Sequence, residues 1–388
     1  MRETTATMDS STIPTREEIV ARAAAIVPVL RENSTLTEKD RRVADASIQA
    51  LRASGLARLA TERQFGGYES DLLTQLLALI RIGSGCSSTG WVEAILLAGR
   101  EMIKGLTEEA KRDVFGADPD AHMFTSQSPT GTITKVPGGY VANGKWGFCS
   151  GSDHAAWGFL MCLAKDDAGV PTGMAMAVVP KEELIKHDVW HVAGMSGTGS
   201  NTWEAQDVFV PEHRAVLNVA IRPGSTTAMS LTLLAVVLGT ARGAQEFVVD
   251  QLTSGRAVTY SKIADAAQSP IVHVWLAEAV ALFDRAEALL RDAAATTQGW
   301  LDAGTPVLPL DGARMRYGIA DALESVRLGM NKLLDLGGAS SFAASHPLQR
   351  MWRDVEVGSR HAQLNNYVPR EDYGRTLLGN TDVLSIIE

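Results

Sequence analysis

Cysteine is scarce. Only Cys86, Cys149 and Cys162 occur in 388 residues, and they form no metal-ligand spacing and no disulfide framework. A reducing cytoplasm suits them. Basic charge is also in short supply: 36 Lys plus Arg stand against 45 Asp plus Glu, a net charge of −9 with no basic block. Such a chain is a poor nucleic-acid binder. Long apolar runs are missing too. The longest, Leu231 to Gly239, is too short to span a bilayer. The N-terminal stretch up to Pro14 has no apolar signal core and reads as a short Ser/Thr-rich disordered tail. No short repeat, Walker phosphate loop or GxGxxG fingerprint appears. What remains is ordinary globular material, 45% apolar and 21% charged, long enough for two or three packed subdomains. The expectation is a cytoplasmic protein with no nucleic-acid or membrane partner.

Three textures follow one another. Residues 15–118 read as a helical domain. Thr15-Arg16-Glu17-Glu18 is a capping box, and Ile19, Ala23, Ile26, Val27 and Leu30 share the face that follows, with Pro28 a point of kink or early stop. A second helix is expected from Thr37 to the Ser54-Gly55 stop, a third over Leu72 to Ile82, and a fourth over Val92 to Ala98, opened by Ser87 to Trp91. Residues 119–218 read as a β-domain of short apolar runs broken by Gly, Pro and Asn. Asn143-Gly144 is the expected hairpin turn, and Pro211 ends the last strand. Residues 225–388 are helical again, over Met229 to Leu252, Ile271 to Thr297, Gly312 to Leu336 and within Ala339 to Leu364. Their small residues favour close packing in a bundle, within or across subunits.

Four motifs stand in this frame: Cys86 to Trp91 (CSSTGW), Asn143 to His154 (NGKWGFCSGSDH), Gly197 to Thr202 (GTGSNT), and Pro347 to Asp354 (PLQRMWRD) followed by His361-Ala362. Their order and spacing, from about Ala21 to Leu378, resemble the reduced-flavin-dependent monooxygenases of two-component systems. Those enzymes use the acyl-CoA dehydrogenase fold and include p-hydroxyphenylacetate, steroid and polyketide hydroxylases. The resemblance implies a mostly α chain with a central β-domain: an N-terminal helical domain, a β-barrel or sandwich, and a C-terminal four-helix bundle.

A flavin ring needs an apolar wall and a few fixed hydrogen-bond partners. If Trp146 to Ser152 is a strand, alternation puts Trp146, Phe148 and Ser150 on one face. The resemblance gives Ser150 to flavin N5; the residues alone favour a turn cap before Gly151. It also sets Thr198, Ser200 and Asn201 beside the flavin, in what is otherwise a glycine-rich loop. Arg256 is matched to an arginine that reaches the flavin phosphates, often across a subunit boundary, or is a surface arginine near a helix end. Gly337 and Gly338 resemble the pair beside a neighbouring subunit's pyrophosphate, or form a helix C-cap. His361, read on the last strong helix, is matched to the histidine at flavin and substrate. Ser88 and Trp91 border the substrate cavity, although a tryptophan at a helix start is also ordinary core. His154 is read as structural. His187 and His191 form no zinc pair, because Asp188 to Trp190 reads as strand and no third ligand is evident; no metal is expected.

The implied activity is that of an oxygenase component. It takes reduced FMN or FAD (FMNH2 or FADH2) from a separate NAD(P)H:flavin reductase and hydroxylates a small phenolic or polyketide-like aromatic substrate with O2, through a C4a-hydroperoxyflavin. A homotetramer is implied as well. Two alternatives in the same fold are N-oxygenation of an amino sugar or other amine, and acyl-CoA dehydrogenation. The second needs a carboxylate base that Gln363 to Tyr367 does not supply. A non-catalytic flavin or aromatic-ligand carrier is the alternative from another class.

Overall fold

Thr15 opens the first helix as its sequence predicts. In the computed structural model, which describes residues 13–219 and 221–385, the Thr15 hydroxyl accepts from Glu18 N–H at 3.2 Å. The Glu18 carboxylate accepts from Thr15 N–H at 2.8 Å. The expected tail lies, through residue 12, outside the described residues. Helix α1 (Arg16–Glu32) continues through Pro28. The single helix expected from Thr37 is two, α2 (Ser34–Lys39) and α3 (Asp45–Ala53). Thr37 is not a cap but lies inside α2, where its hydroxyl accepts from Ala44 N–H across the break. Arg41, in the left-handed region at φ 52°, turns the chain there.

Four more elements complete the first stretch and begin the sheet: α4 (Leu72–Gly85), α5 (Ser87–Ile103), α6 (Glu108–Phe115) and β1 (Met123–Val136). Strands β2 (Gly139–Cys149), β3 (Trp157–Lys165), β4 (Pro171–Pro180), β5 (Ile185–His187), β6 (Asn201–Pro211) and β7 (Ala215–Leu217) follow. They form one seven-stranded sheet in the order β5-β6-β2-β1-β3-β4-β7. Among the described residues, only β1 and β3 pair in parallel. The hairpin turn is not Asn143-Gly144 but Pro137-Gly138, since Val136 pairs with Gly139. Gly138 supplies the positive φ, 82°. Asn143 sits at an irregularity inside β2 and exchanges two hydrogen bonds with Asp207, at 3.0 and 2.9 Å.

The helical remainder is α7 (Ser225–Leu252), α8 (Pro270–Ala303), α9 (Pro309–Gly337), α10 (Pro347–Gly358) and α11 (Val368–Leu377). By length and composition α7 could cross a bilayer, yet 89% of its most apolar window is buried, the pattern of a core helix.

The chain divides into two compact units. One takes the residues up to Asp71 with Trp91–Val192 and Ser196–Ile221; the other takes Leu72–Gly90, Ala193–Met195 and the chain from Arg222. In the first, Phe124, Trp146, Leu160, Val179 and Trp203 are among the side chains of the sheet's core. A second core gathers Ile103, Phe115, Phe159 and Val178. In the second unit α4 packs on α7 at backbone distance. A Cβ on Gly239 would lie 2.3 Å from the Ile80 carbonyl oxygen, and one on Gly243 2.3 Å from that of Ser84. Only glycine allows that approach. This puts α4 with the later helices.

Candidate active site

Within the first unit, β2 ends in a kink. The register between β2 and β6 shifts from Trp146 to Cys149, and Phe148 between them has φ 58°. This bulge breaks the alternation expected for Trp146, Phe148 and Ser150. Trp146 is fully buried in the sheet's core, its indole N–H donating to the Met161 carbonyl at 2.7 Å, so it has no face to offer a cofactor. Phe148 swings outward and is 73% exposed. Cys149 takes the inward place, and Ser150 begins the turn beyond it.

That turn meets the Gly197 to Thr202 segment. Gly151 N–H donates to the Thr198 carbonyl at 2.8 Å. Gly151 is left-handed, and a Cβ there would press 2.7 Å from Val92 of α5. Three hydroxyls line up: Ser150 Oγ lies 2.7 Å from Ser200 Oγ, which lies 2.7 Å from Thr198 Oγ1. All three residues are buried.

Asn201 has different work. Its Oδ1 accepts from Val189 N–H and Trp190 N–H, each at 3.1 Å, fixing the segment after β5. Arg41 grips the same segment by a two-pronged ion pair with Asp188, at 2.7 and 2.8 Å, and by a bond to the Trp190 carbonyl. Asp188 to Trp190 is therefore an anchored loop, not the strand expected. Trp190, which no sequence signal marked, stands edge-on to Phe148, ring centres 5.9 Å apart. A groove of about 450 Å³ adjoins Asn201; its charges are largely paired within it, Arg41 with Asp188 and Lys186 with Asp153. His154 is structural, its Nε2 2.7 Å from the Val43 carbonyl. His187 pairs with Glu204, and no cluster able to hold a metal occurs among the described residues.

Helix α5 begins at Ser87, so Trp91 lies within it and not at its start; Ser88 and Trp91 are both buried. Two further buried groups on α5 escaped the sequence reading. Glu93 is fully buried, and among the described residues neither carboxyl oxygen has a hydrogen-bond partner. Burial raises its carboxyl to about 8. Arg100 donates to the Pro119 and Ala121 carbonyls and to Thr61, and burial lowers its guanidinium to about 10.

The second unit holds the remaining candidates. Arg256 donates to the Leu336 carbonyl at 2.8 Å, immediately before the glycine pair. Gly338 caps α9 with φ 71° and is exposed; a Cβ there would meet nothing within 4 Å. Gly337 is buried, its would-be Cβ 2.1 Å from Ser341 Oγ, so it serves packing. In the Pro347 to Asp354 motif, Asp354 accepts from Met195 N–H at 2.6 Å, and Arg353 reaches the Ala193 carbonyl.

His361 is not on α10, which stops at Gly358, but in the turn beyond it. Its Nδ1 accepts from Gln363 N–H at 3.3 Å, which assigns the ring proton to Nε2. Burial pulls its pKa below the ordinary imidazole range, so the ring is neutral at pH 7. Ser230 of α7 donates to the Gln363 carbonyl at 3.3 Å and holds this turn.

Each unit by itself holds groups that suit part of a flavin. In the first, hydroxyls that both donate and accept suit N5 and the Phe148–Trp190 pair offers aromatic surface; in the second, a forked guanidinium beside an open glycine suits a phosphate.

Relatives agree. Residues 231–366 match the family described as acyl-CoA dehydrogenase, C-terminal domain. The flavin-dependent monooxygenase oxygenase subunit HsaA of Rhodococcus jostii (strain RHA1) is 34% identical over 358 residues, covering 88% of this chain and 93% of that protein. The FADH(2)-dependent resorcinol hydroxylase oxygenase component of Rhizobium sp. (strain MTP-10005) is 31% identical, covering 93% and 94%. Among solved structures, XiaF from Streptomyces sp., in complex with FADH2 and glycerol, superposes with a TM-score of 0.90 at 31% identity, over 96% of this chain and 98% of its own. The fold class is thus that of the acyl-CoA dehydrogenases in the C-terminal helices. Within it, the chain belongs to the family of oxygenase components of flavin-dependent monooxygenases.

Proposed function

We propose that this oxygenase component receives reduced FMN or FAD from a separate NAD(P)H:flavin reductase and hydroxylates a small aromatic substrate, phenolic or polyketide-like, with O2. The near-full-length match to a named oxygenase subunit, 93% of that protein's length, carries the reading. The proposal includes the three-part layout of residues 15–118, 119–218 and 225–388, a homotetramer and a cytoplasmic location.

Bound reduced flavin supplies the electrons that activate O2. The chain supplies the rest. Ser150 meets flavin N5 and holds its proton, and Phe148 offers the ring an apolar edge. Arg256, with Gly338, takes the phosphate. His361, neutral and protonated on Nε2, donates a hydrogen bond to the substrate oxygen and stabilises negative charge there, while Ser88 and Trp91 border the substrate. Trp190 extends the aromatic surface, and Asn201 and Arg41 keep its loop in place. Dehydrogenation of an acyl-CoA is disfavoured, because Ser359 to Tyr367 contains no carboxylate to act as base.

The test is rapid mixing of the protein with reduced FMN or FAD and oxygen, with and without phenolic substrates. The expected result is a near-ultraviolet transient before oxidised flavin, and hydroxylated product. Oxidation at the rate of free flavin, with peroxide as sole product for every aromatic tried, would overturn the proposal.

A further inference from the structure

Ser200 sits between two hydroxyls, 2.7 Å from Ser150 and 2.7 Å from Thr198. A hydroxyl carries a single proton, so the Ser150–Ser200 contact runs in one of two directions. If Ser150 donates to Ser200, its lone pairs are left for an outside donor. If Ser200 donates to Ser150, the Ser150 proton is left for an outside acceptor. Flavin N5 presents both faces in turn: it bears a hydrogen when reduced and a bare lone pair when oxidised.

We propose that Ser200 is a positioning residue that lets Ser150 reverse its hydrogen bond as the flavin changes redox state. This rests on the reading of Ser150 as the N5 partner and adds a function for a side chain that does not itself touch the ring. With reduced flavin, Ser150 accepts from N5–H and passes its own proton's bond to Ser200. With oxidised flavin, the row reverses and Ser150 donates to N5.

Removal of the Ser200 hydroxyl affects the two states unequally. Ser150 still donates to oxidised flavin at no loss. To accept from N5–H, however, it must bury its own O–H without a partner. That penalty, about 1–3 kcal/mol, corresponds to roughly 5- to 150-fold in affinity.

The experiment measures flavin dissociation constants, without turnover. Wild type, Ser200→Ala, Ser200→Thr, Ser200→Cys and Ser150→Ala are titrated with oxidised FMN in air and with reduced FMN under anaerobic conditions. Ser200→Ala should weaken reduced FMN by roughly 5-fold or more and leave oxidised FMN within about 2-fold. Ser200→Thr, which keeps the hydroxyl, should restore the ratio; if its methyl does not fit, the near-isosteric Ser200→Cys should fall between Ala and wild type. Equal weakening of both redox states by folded Ser200→Ala and Ser200→Cys would overturn the proposal. So would an unchanged ratio in Ser200→Ala while Ser150→Ala shifts it. If Ser150→Ala moves neither constant, Ser150 is not the N5 partner, and the relay falls with that reading.

Discussion

Arg256 and Leu336 are 80 positions apart, yet the Arg256 guanidinium donates to the Leu336 carbonyl at 2.8 Å. This bond uses one edge of the fork and fixes the charge beside Gly338. Arg256→Ala should therefore weaken FMN about 10-fold or more, in line with loss of a charge-assisted hydrogen bond, and leave riboflavin, which lacks the phosphate, almost unchanged. Arg256→Lys should recover only part of the difference. Equal effects on the two flavins by equilibrium titration would remove Arg256 from the phosphate.

His361 tests proton handling. His361→Asn can still accept from Gln363 N–H through its side-chain oxygen, so the turn should hold. Hydroxylation should fall roughly 10- to 150-fold if the Nε2–H of His361 is the donor to the substrate oxygen. Because burial lowers its pKa, wild-type activity should lose its acid limb only below the ordinary imidazole value of 6.5. The pH profile of kcat/KM checks both points: wild-type turnover in folded His361→Asn would exclude the role.

Ser150→Ala should still consume oxygen with reduced flavin. Loss of one hydrogen bond, about 0.5–1.5 kcal/mol, should raise peroxide release relative to product roughly 2- to 13-fold. Product formed per flavin oxidised, with peroxide assayed in parallel, decides. Unchanged coupling would leave Ser150 as a turn residue.

Glu93 gives a stability prediction. Its carboxyl titrates at about 8 when folded, against an ordinary 4.5. A raised folded pKa means that the native state binds the proton more tightly. The contribution is complete below 4.5 and is lost as pH rises toward 8, at about 1.4 kcal/mol per unit at most. Glu93→Gln keeps the shape without the charge. Its melting temperature should match wild type near pH 4.5 and exceed it above pH 8. Parallel melting curves at all pH values would show that Glu93 is not buried neutral.

Local chemistry was legible where neighbours in sequence are neighbours in space. Thr15 and Glu18 cap α1 as their spacing predicts. The Pro211 stop of β6 was equally visible. Asn143-Gly144 misled because Asn143 is claimed by Asp207, 64 positions away, and the true turn falls at Pro137-Gly138. The Trp146–Phe148–Ser150 alternation failed for a related reason. A bulge depends on the partner strand β6, so no period in β2 reveals it. In the same way, the side chains of Ser150 and Ser200 were each marked as candidates, but their contact across 50 positions is a tertiary fact.

The three cysteines have a consequence for an enzyme that handles reduced flavin and oxygen. Cys86, Cys149 and Cys162 are all buried, and burial pushes the Cys149 and Cys162 thiols up to about 12 and raises Cys86 as well. The thiolate is the form that attacks peroxide, and these sites disfavour and screen it. Peroxide leaked from an unproductive cycle therefore meets no ready thiolate among the three cysteines. Cysteine oxidation should accordingly be a slow route of self-inactivation by that side product.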